Sequence, residues 1–168
     1  MKNAIRFLTV FFEVITLSAL FAHLLEMPAK MELSMDSYLV VQGVYRGWSW
    51  LGLFEIAAIV LSIVWLIIDR HKKGKRPLLV IASLFFIISL MIFFMYTYPA
   101  NQATQNWTML PEDQWEALRQ QWEYSHALRA VLNLTGLSLL IFALMRKRKG
   151  SYRRIMSSRI IPARLEEQ

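Results

Sequence analysis

The side chains in this chain that could do chemistry are few, and they recur at one spacing. His23 and Glu26 are three positions apart, and Glu123 and His126 repeat that spacing in the reverse order. Residues three apart on an α-helix lie about 60° apart around its axis, so each pair shares a face. Two such pairs on facing helices are how four-helix carboxylate proteins hold iron or manganese, with further carboxylates from neighbouring helices. Glu55 is placed to be a further ligand. The set His23, Glu26, Glu55, Glu123 and His126 offers nitrogen and oxygen donors that suit Fe, Mn, Zn or, less well, Cu. Two metal-free readings stand beside it. The residues can form a polar acid–base site, or Arg129, Arg119 and Lys30 can neutralise the carboxylates as structural ion pairs. The chain has no cysteine, which excludes disulfides, thiolate nucleophiles and sulfur-ligated metals.

The elements that position these groups must sit in lipid. Of 168 residues, 56% are hydrophobic and 18% charged, and the mean hydropathy is +0.37. With 10 Phe, 6 Trp, 6 Tyr and 9 Met, the chain has more apolar side chain than it can hide in its own core, because small domains bury proportionally less surface. Four apolar blocks, at about 4–25, 50–68, 78–98 and 127–145, approach the roughly 20 residues an α-helix needs to cross a bilayer. None alternates with period two, so they are not barrel strands. The first block reads as a span rather than a cleaved signal, since Leu20 before Ala22 spoils the small-x-small pattern.

Basic residues near span ends stay on the cytoplasmic side, so their distribution predicts orientation. Of the 19 Lys and Arg residues, fifteen flank the spans on one side: Lys2 and Arg6, five between Arg70 and Arg76, and eight from Arg146 to Arg164. The other side has only Lys30, Arg46, Arg119 and Arg129. Both termini are therefore expected in the cytoplasm, as an even number of spans requires, in a plasma or inner membrane. The sequence pI of about 9.9 reports topology rather than nucleic-acid binding. The run RKRKGSYRR anchors the last span and contacts anionic lipid.

Residues 27–48 begin with Pro28, expected to end the first helix, and then suit a short helix lying at the interface. Residues 99–125 start with Pro99 and Asn101, and a helix is expected from Pro111 onward, running into the fourth span. Five of the six tryptophans, Trp48, Trp50, Trp107, Trp115 and Trp122, fall on this outer side as an aromatic belt. The same rings could wall a pocket for a flat ligand. The expected fold is all-α: a polytopic four-helix transmembrane bundle over 1–150, with an interfacial segment between helices 1 and 2, a helical extension before helix 4, and a basic cytoplasmic tail over 151–168.

Depth groups the polar residues. At a rise of 1.5 Å per residue, Glu55 falls within about 8 Å of the outer boundary, and His23, Glu26, Glu123 and His126 fall near it. On helix 4, Glu123, His126, Ala130 and Asn133 make one stripe descending into the bundle. Glu13 lies near the midplane and must find a partner or a proton, with Asn133 and Thr135 at a suitable depth.

Longer motifs carry a family likeness. The run TYPANQATQNW, the pattern W-x-x-L-R-x-x-W-E-x-x-H-x-x-R across Trp115 to Arg129, and HLLEMPAK at the end of helix 1 together resemble the DUF1772, anthrone oxygenase-like membrane proteins. The matching positions are Pro99, Asn101, Trp115, Trp122, His126 and Arg129. The likeness implies a four-helix membrane protein acting as an oxygenase or oxidoreductase on an apolar or aromatic small molecule. In that role His126 or His23 would remove an acidic proton, and Arg129 or Asn101 would stabilise the developing oxyanion. Alternatively, the His23/Glu26 and Glu123/His126 pairs would hold an oxygen-activating metal. Trp107, Trp115, Trp122 and Asn133 would shape the substrate pocket.

Other classes remain in view. A small transporter or lipid- or ion-binding protein would use the polar layer for an ion or headgroup, although no internal repeat supports it. A structural subunit of a membrane complex, or a homo-oligomer, would use the uncharged stretch LFFIISLMIFFMY for packing. Expected partners are membrane lipids and a small apolar substrate, with no nucleic acid. The lack of a Gly-x-Ser-x-Gly elbow and the place of His71 in a basic inner loop argue against Ser-His-Asp hydrolysis, and phosphate-binding glycine loops are absent.

Overall fold

The computed structural model describes residues 1–146; the basic tail over 151–168 lies outside the described residues. The chain is helical, with no strand among the described residues. Four helical runs are long and apolar enough to cross a membrane: Lys2–Met31, Trp48–Ile68, Arg76–Ala103 and Trp115–Met145. In chain order the elements are α1 (Lys2–Met31), α2 (Met35–Gln42), α3 (Leu51–Ile68), α4 (Arg76–Ile92), α5 (Tyr98–Ala103) and α6 (Trp115–Met145). Two short 3₁₀ turns, Gly43–Tyr45 and Trp48–Trp50, join α2 to α3. The long helices form a ring in which α1 and α4 each pack against both α3 and α6.

Three expected boundaries move. Pro28 lies inside α1 instead of ending it, and the helix runs on to Met31. A proline so near a C-terminus removes one hydrogen bond from a turn that is fraying anyway, so little opposes it. Pro99 likewise lies inside a helical run, at the start of α5. The preceding residues, Phe93–Thr97, form a π-helical turn. Pro99 offers no N–H to the carbonyl four residues back and its ring crowds it, and the wider π turn accommodates both. The last helix begins at Trp115, later than Pro111. Between Gln42 and α3 and between α5 and α6, the connections cap one end of the bundle; the chain's N-terminus and the 69–75 loop lie at the other, where Arg146 Nη1 donates to the Gly74 carbonyl at 2.6 Å.

The bundle is apolar outside and polar within. On α3 the exposed residues include Leu53, Ile56, Val60, Ile63 and Ile67, a stripe of helical period, and α1 exposes Phe7, Phe11, Val14, Phe21 and Leu25. Buried inside are Thr9, Glu13, Thr16, His23, Glu55, Ser62, Ser83, Ser89, Glu123, His126, Arg129 and Asn133. Such a surface is stable only in an apolar solvent. An apolar core of Ile59, Trp65, Leu79, Ala82, Phe86, Leu140 and Ala143 closes the terminal end. There α4 and α6 approach so closely that a Cβ on Gly136 would stand 2.4 Å from a Phe86 ring carbon.

The terminal end is clamped by Asp69, the residue after α3. It accepts from Arg6 Nη2 at 2.9 Å on each carboxylate oxygen, from the Trp65 indole at 3.1 Å and from Lys72 at 2.6 Å. Burial works against its charge, but these hydrogen bonds and the Arg6 charge outweigh that and hold the carboxyl below its ordinary 3.8. A depressed pKa contributes stability that is complete above 3.8 and disappears as pH falls through the lower folded value. The melting temperature of the detergent-solubilised protein should therefore fall on acidification below that point. Asp69→Asn should lose about 2 kcal/mol at neutral pH and show a shallower acid limb; an acid limb identical to that of the parent protein would disprove the clamp.

Candidate functional site

The capped end encloses a cavity of about 670 Å³. His23 of α1, Glu55 of α3, Thr97 and Asn101 of the π turn and α5, and Trp122, His126 and Arg129 of α6 all line it. Tyr45, Trp48 and Trp107 reach it from the connections. The two imidazoles meet with ring centroids 4.5 Å apart, and both residues are buried. Trp122 packs against both, at 4.0 Å from His126 and 4.9 Å from His23. Tyr45 adds an edge contact to His23 at 4.4 Å.

His126 is oriented by its own helix. Its Nδ1 lies 2.9 Å from the Trp122 carbonyl. A carbonyl only accepts, so Nδ1 carries the hydrogen, and in the neutral ring the lone pair is on Nε2. Nearby, Arg129 Nη2 donates to Glu55 at 2.7 Å and its Nε to Ser89 at 3.4 Å, while the guanidinium stacks 5.0 Å from the Phe93 ring. Ser89 also donates to Glu55 at 3.1 Å and accepts from Asn133 at 2.6 Å. Arg129 Nη1 has no partner among the described residues.

A second charged pair sits above, outside the cavity wall. Lys30 Nζ lies 2.7 Å from Glu123, and both residues are buried. The Tyr38 hydroxyl donates to the same Glu123 oxygen at 2.8 Å and accepts from Gln42 at 2.5 Å. Burial first, and the Glu123 charge second, push the Tyr38 phenol far above its usual value, so it remains a donor. The Lys30 ammonium rests over the Trp122 and Tyr45 rings, 4.6 and 4.7 Å from their centroids.

The expected ligand set does not assemble. Glu26 is exposed and hydrogen-bonded by the Tyr45 hydroxyl. Glu55 belongs to Arg129 and Glu123 to Lys30, leaving the two histidines together without an acid partner. Among the described residues no three His, Asp or Glu side chains converge as a metal site requires. Glu55 and Glu123 are each paired with a buried cation, as the ion-pair reading of the sequence expects of these two acids. Arg119, also a candidate for that role, pairs with Glu116 at 2.5 Å and donates to the Leu33 carbonyl at 2.9 Å.

The pocket residues divide similarly. Trp107 and Trp122 are wall residues, buried to 7% and 4% exposure, rather than members of a lipid-facing belt; Trp50, at 73%, fits the belt. Trp115 stacks on Arg119 at 4.5 Å and does not line the cavity. Asn133 lies deeper, with its amide committed to Ser89 and the Arg129 carbonyl. The helix 4 stripe does face inward, with Glu123, His126, Ala130 and Asn133 all buried. Tyr38, Gln42, Tyr45 and Ser89 were missed by sequence reasoning, since a polar residue in a mixed segment gives no sign of its distant partner. Lys30 had a signal, as an isolated cation on the cation-poor side.

Asn101 holds the roof. Its Oδ1 accepts from both the Trp107 and Trp122 indoles, at 2.9 and 2.8 Å. Trp107 reaches this position through a turn in which Gln105, Asn106 and Trp107 all have positive φ, at 50°, 57° and 63°. Each costs about 1 kcal/mol, so the two-indole clasp offsets strain. The turn is also closed by the Asn106 N–H to the Asn101 carbonyl at 2.6 Å and the Trp107 N–H to Thr104 Oγ1 at 3.1 Å.

No family model, curated protein or solved structure matches this chain.

Replacing Asn101 with Leu strands two indole donors, each at a cost of about 1–3 kcal/mol. The variant should melt lower and its tryptophan emission should move to the red as Trp107 loosens. Emission and melting unchanged from the parent would show that the clasp holds nothing.

Proposed function

We propose that this protein is an integral membrane protein that accepts a flat apolar or aromatic small molecule into the capped-end cavity and removes an acidic proton from it, in the manner of the anthrone oxygenase-like proteins its motifs resemble. The observation that carries this reading is the state of His126: its Nδ1 is tied to the Trp122 carbonyl, which makes Nε2 the basic nitrogen on a wall shared with His23 and Arg129. Phe93, Phe94, Trp48, Trp107 and Trp122 supply aromatic walls for a flat ring system.

In this reading His126 Nε2 takes a proton from an acidic methylene of the substrate, with the adjoining His23 ring helping to exclude water. The enolate oxygen is stabilised by Arg129 Nη1 and by the Asn101 amide, whose oxygen is already engaged by the indoles. The carbanion passes electrons to molecular oxygen and a C–O bond forms; His126 returns its proton to the terminal oxygen. Loss of the second methylene proton breaks the O–O bond, and one methylene and one O₂ become one carbonyl and one water. The donor set does not fit a metal, and no step is routed through one.

The excess of basic residues at the terminal end supports an orientation with both termini cytoplasmic, and α2 with the two 3₁₀ turns then lies at the outer interface.

Oxygen uptake by the purified protein in lipid vesicles, with an anthrone-like phenol as substrate, tests the reaction. Uptake should match substrate consumed and drop about 10²-fold or more in His126→Ala. Equal rates in both proteins, or no uptake with the parent, would end the oxygenase reading; substrate-independent ion flux would favour a transporter. For orientation, a reporter inserted after Gln105 should respond on the external side, and cytoplasmic activity at that point would reverse the topology.

A further inference from the structure

One acid in the bundle is unaccounted for by either charged pair. Glu13, midway along α1, is 1% exposed, and neither of its carboxylate oxygens has a hydrogen-bond partner. The other buried acids among the described residues are matched: Glu55 by Arg129, Glu123 by Lys30 and Asp69 by Arg6 and Lys72. The expected partners of Glu13 are engaged elsewhere. Asn133 donates to Ser89 and the Arg129 carbonyl, and Thr135 is exposed and donates to its own helix at the Val131 carbonyl. Thr9 and Thr16, one turn to either side on α1, donate to the Ile5 and Phe12 carbonyls. Ser62 of α3 donates to the Ile59 carbonyl, and Ser83 of α4 donates to Ser62.

Among the described residues, no neighbouring helix offers Glu13 a compensating charge. The nearby charge on α3 is Glu55, of the same sign, and Arg129 of α6 is committed to that acid. An unpaired carboxylate in such an interior is prohibitively costly, whereas a carboxylic acid is uncharged and needs only weak solvation. Glu13 is therefore stable here with a proton attached. It is also one turn from the cavity: Thr16 of the same helix and Glu55 of α3 both line it. Asn133 Oδ1, a further buried acceptor without a partner, lies on the facing helix α6.

We propose that Glu13 is a proton-binding site within the bundle, whose proton exchanges with the cavity above it. The ligand is the proton itself, bound through the O–H bond of the Glu13 carboxyl and passed by way of water in the cavity floor beside Thr16 and Glu55. The site gives the bundle an internal acid distinct from the imidazole pair, and it stands whatever molecule the cavity accepts.

Infrared spectroscopy of the protein in phosphatidylcholine vesicles at neutral pH reads this directly. The parent protein should show the carbonyl band of a protonated carboxyl, and the band should shift on transfer to D₂O. Glu13→Gln, which keeps size and removes the acid, should lose it; Glu13→Asp should retain a protonated-carboxyl band at an altered frequency, which keeps the test valid if the glutamine variant does not fold. Absence of the band from the parent, its persistence in Glu13→Gln, or an unchanged frequency in Glu13→Asp would each overturn the assignment. A Glu13-dependent band unmoved by prolonged D₂O exposure would also overturn it, since that acid would be sealed and structural.

Discussion

Charge neutralisation without water is the constraint on which this structure depends. A bundle that turns Leu, Ile, Val and Phe outward on α1 and α3 has to turn its polar side chains inward, and inside there is too little solvent to stabilise an isolated ion. Two pairs meet that demand between helices distant in sequence: Glu55 with Arg129, and Lys30 with Glu123. Removing one member of either pair would leave the other buried and uncompensated, a far larger effect than the net worth of the pair itself. Both pairs include α6, which makes that helix the common partner for α1 and α3. Glu13, which meets no cation among the described residues, satisfies the same constraint in the proposed protonated form.

These pairings also shape the chemistry. Because Arg129 and Lys30 take the carboxylates, the histidines are left facing each other and the aromatic rings of Trp122 and Tyr45. Metal ligation at the histidines would require acids that the cations already hold. The tautomer of His126 follows from a main-chain carbonyl one turn back on the same helix, so its basic nitrogen is set by helix geometry and needs no third residue. Beneath it, the π turn over Phe93–Thr97 brings Phe93 under the Arg129 guanidinium, linking the distortion that Pro99 imposes to the placement of a cavity cation.

At the capped end, regular helix gives way to strained turns where the cavity needs a roof. Three successive left-handed residues bring Trp107 back over α5, and Asn101 fastens it to Trp122. One amide oxygen thereby joins the loop, α5 and α6. On the other side, α2 is nucleated by the Ser34 side chain accepting from the Ser37 N–H at 3.4 Å, and it delivers Tyr38 to the buried Glu123, with Gln42 donating to the Tyr38 hydroxyl behind it.

The four long apolar helices, the inward stripe on α6 and the shared level of His23 and His126 could all be read from composition and spacing. Hydropathy over twenty residues and a 3.6-residue period are local properties, and a bilayer's thickness converts them into depth. The helix ends were less legible: Pro28 reads as a stop and Pro99 as the start of a connecting segment, yet α1 runs on through the first in its fraying last turn and the third run passes the second by way of the π turn. Which acid meets which cation could be decided only by the fold. Glu26 and Glu123 look equivalent in sequence, each three residues from a histidine. Rotation about two helix axes and the return of α2 leave one exposed beside Tyr45 and the other buried against Lys30. Pairing energy inside lipid depends on distances of a few ångströms between chain segments up to a hundred residues apart, and sequence spacing contains no information at that range.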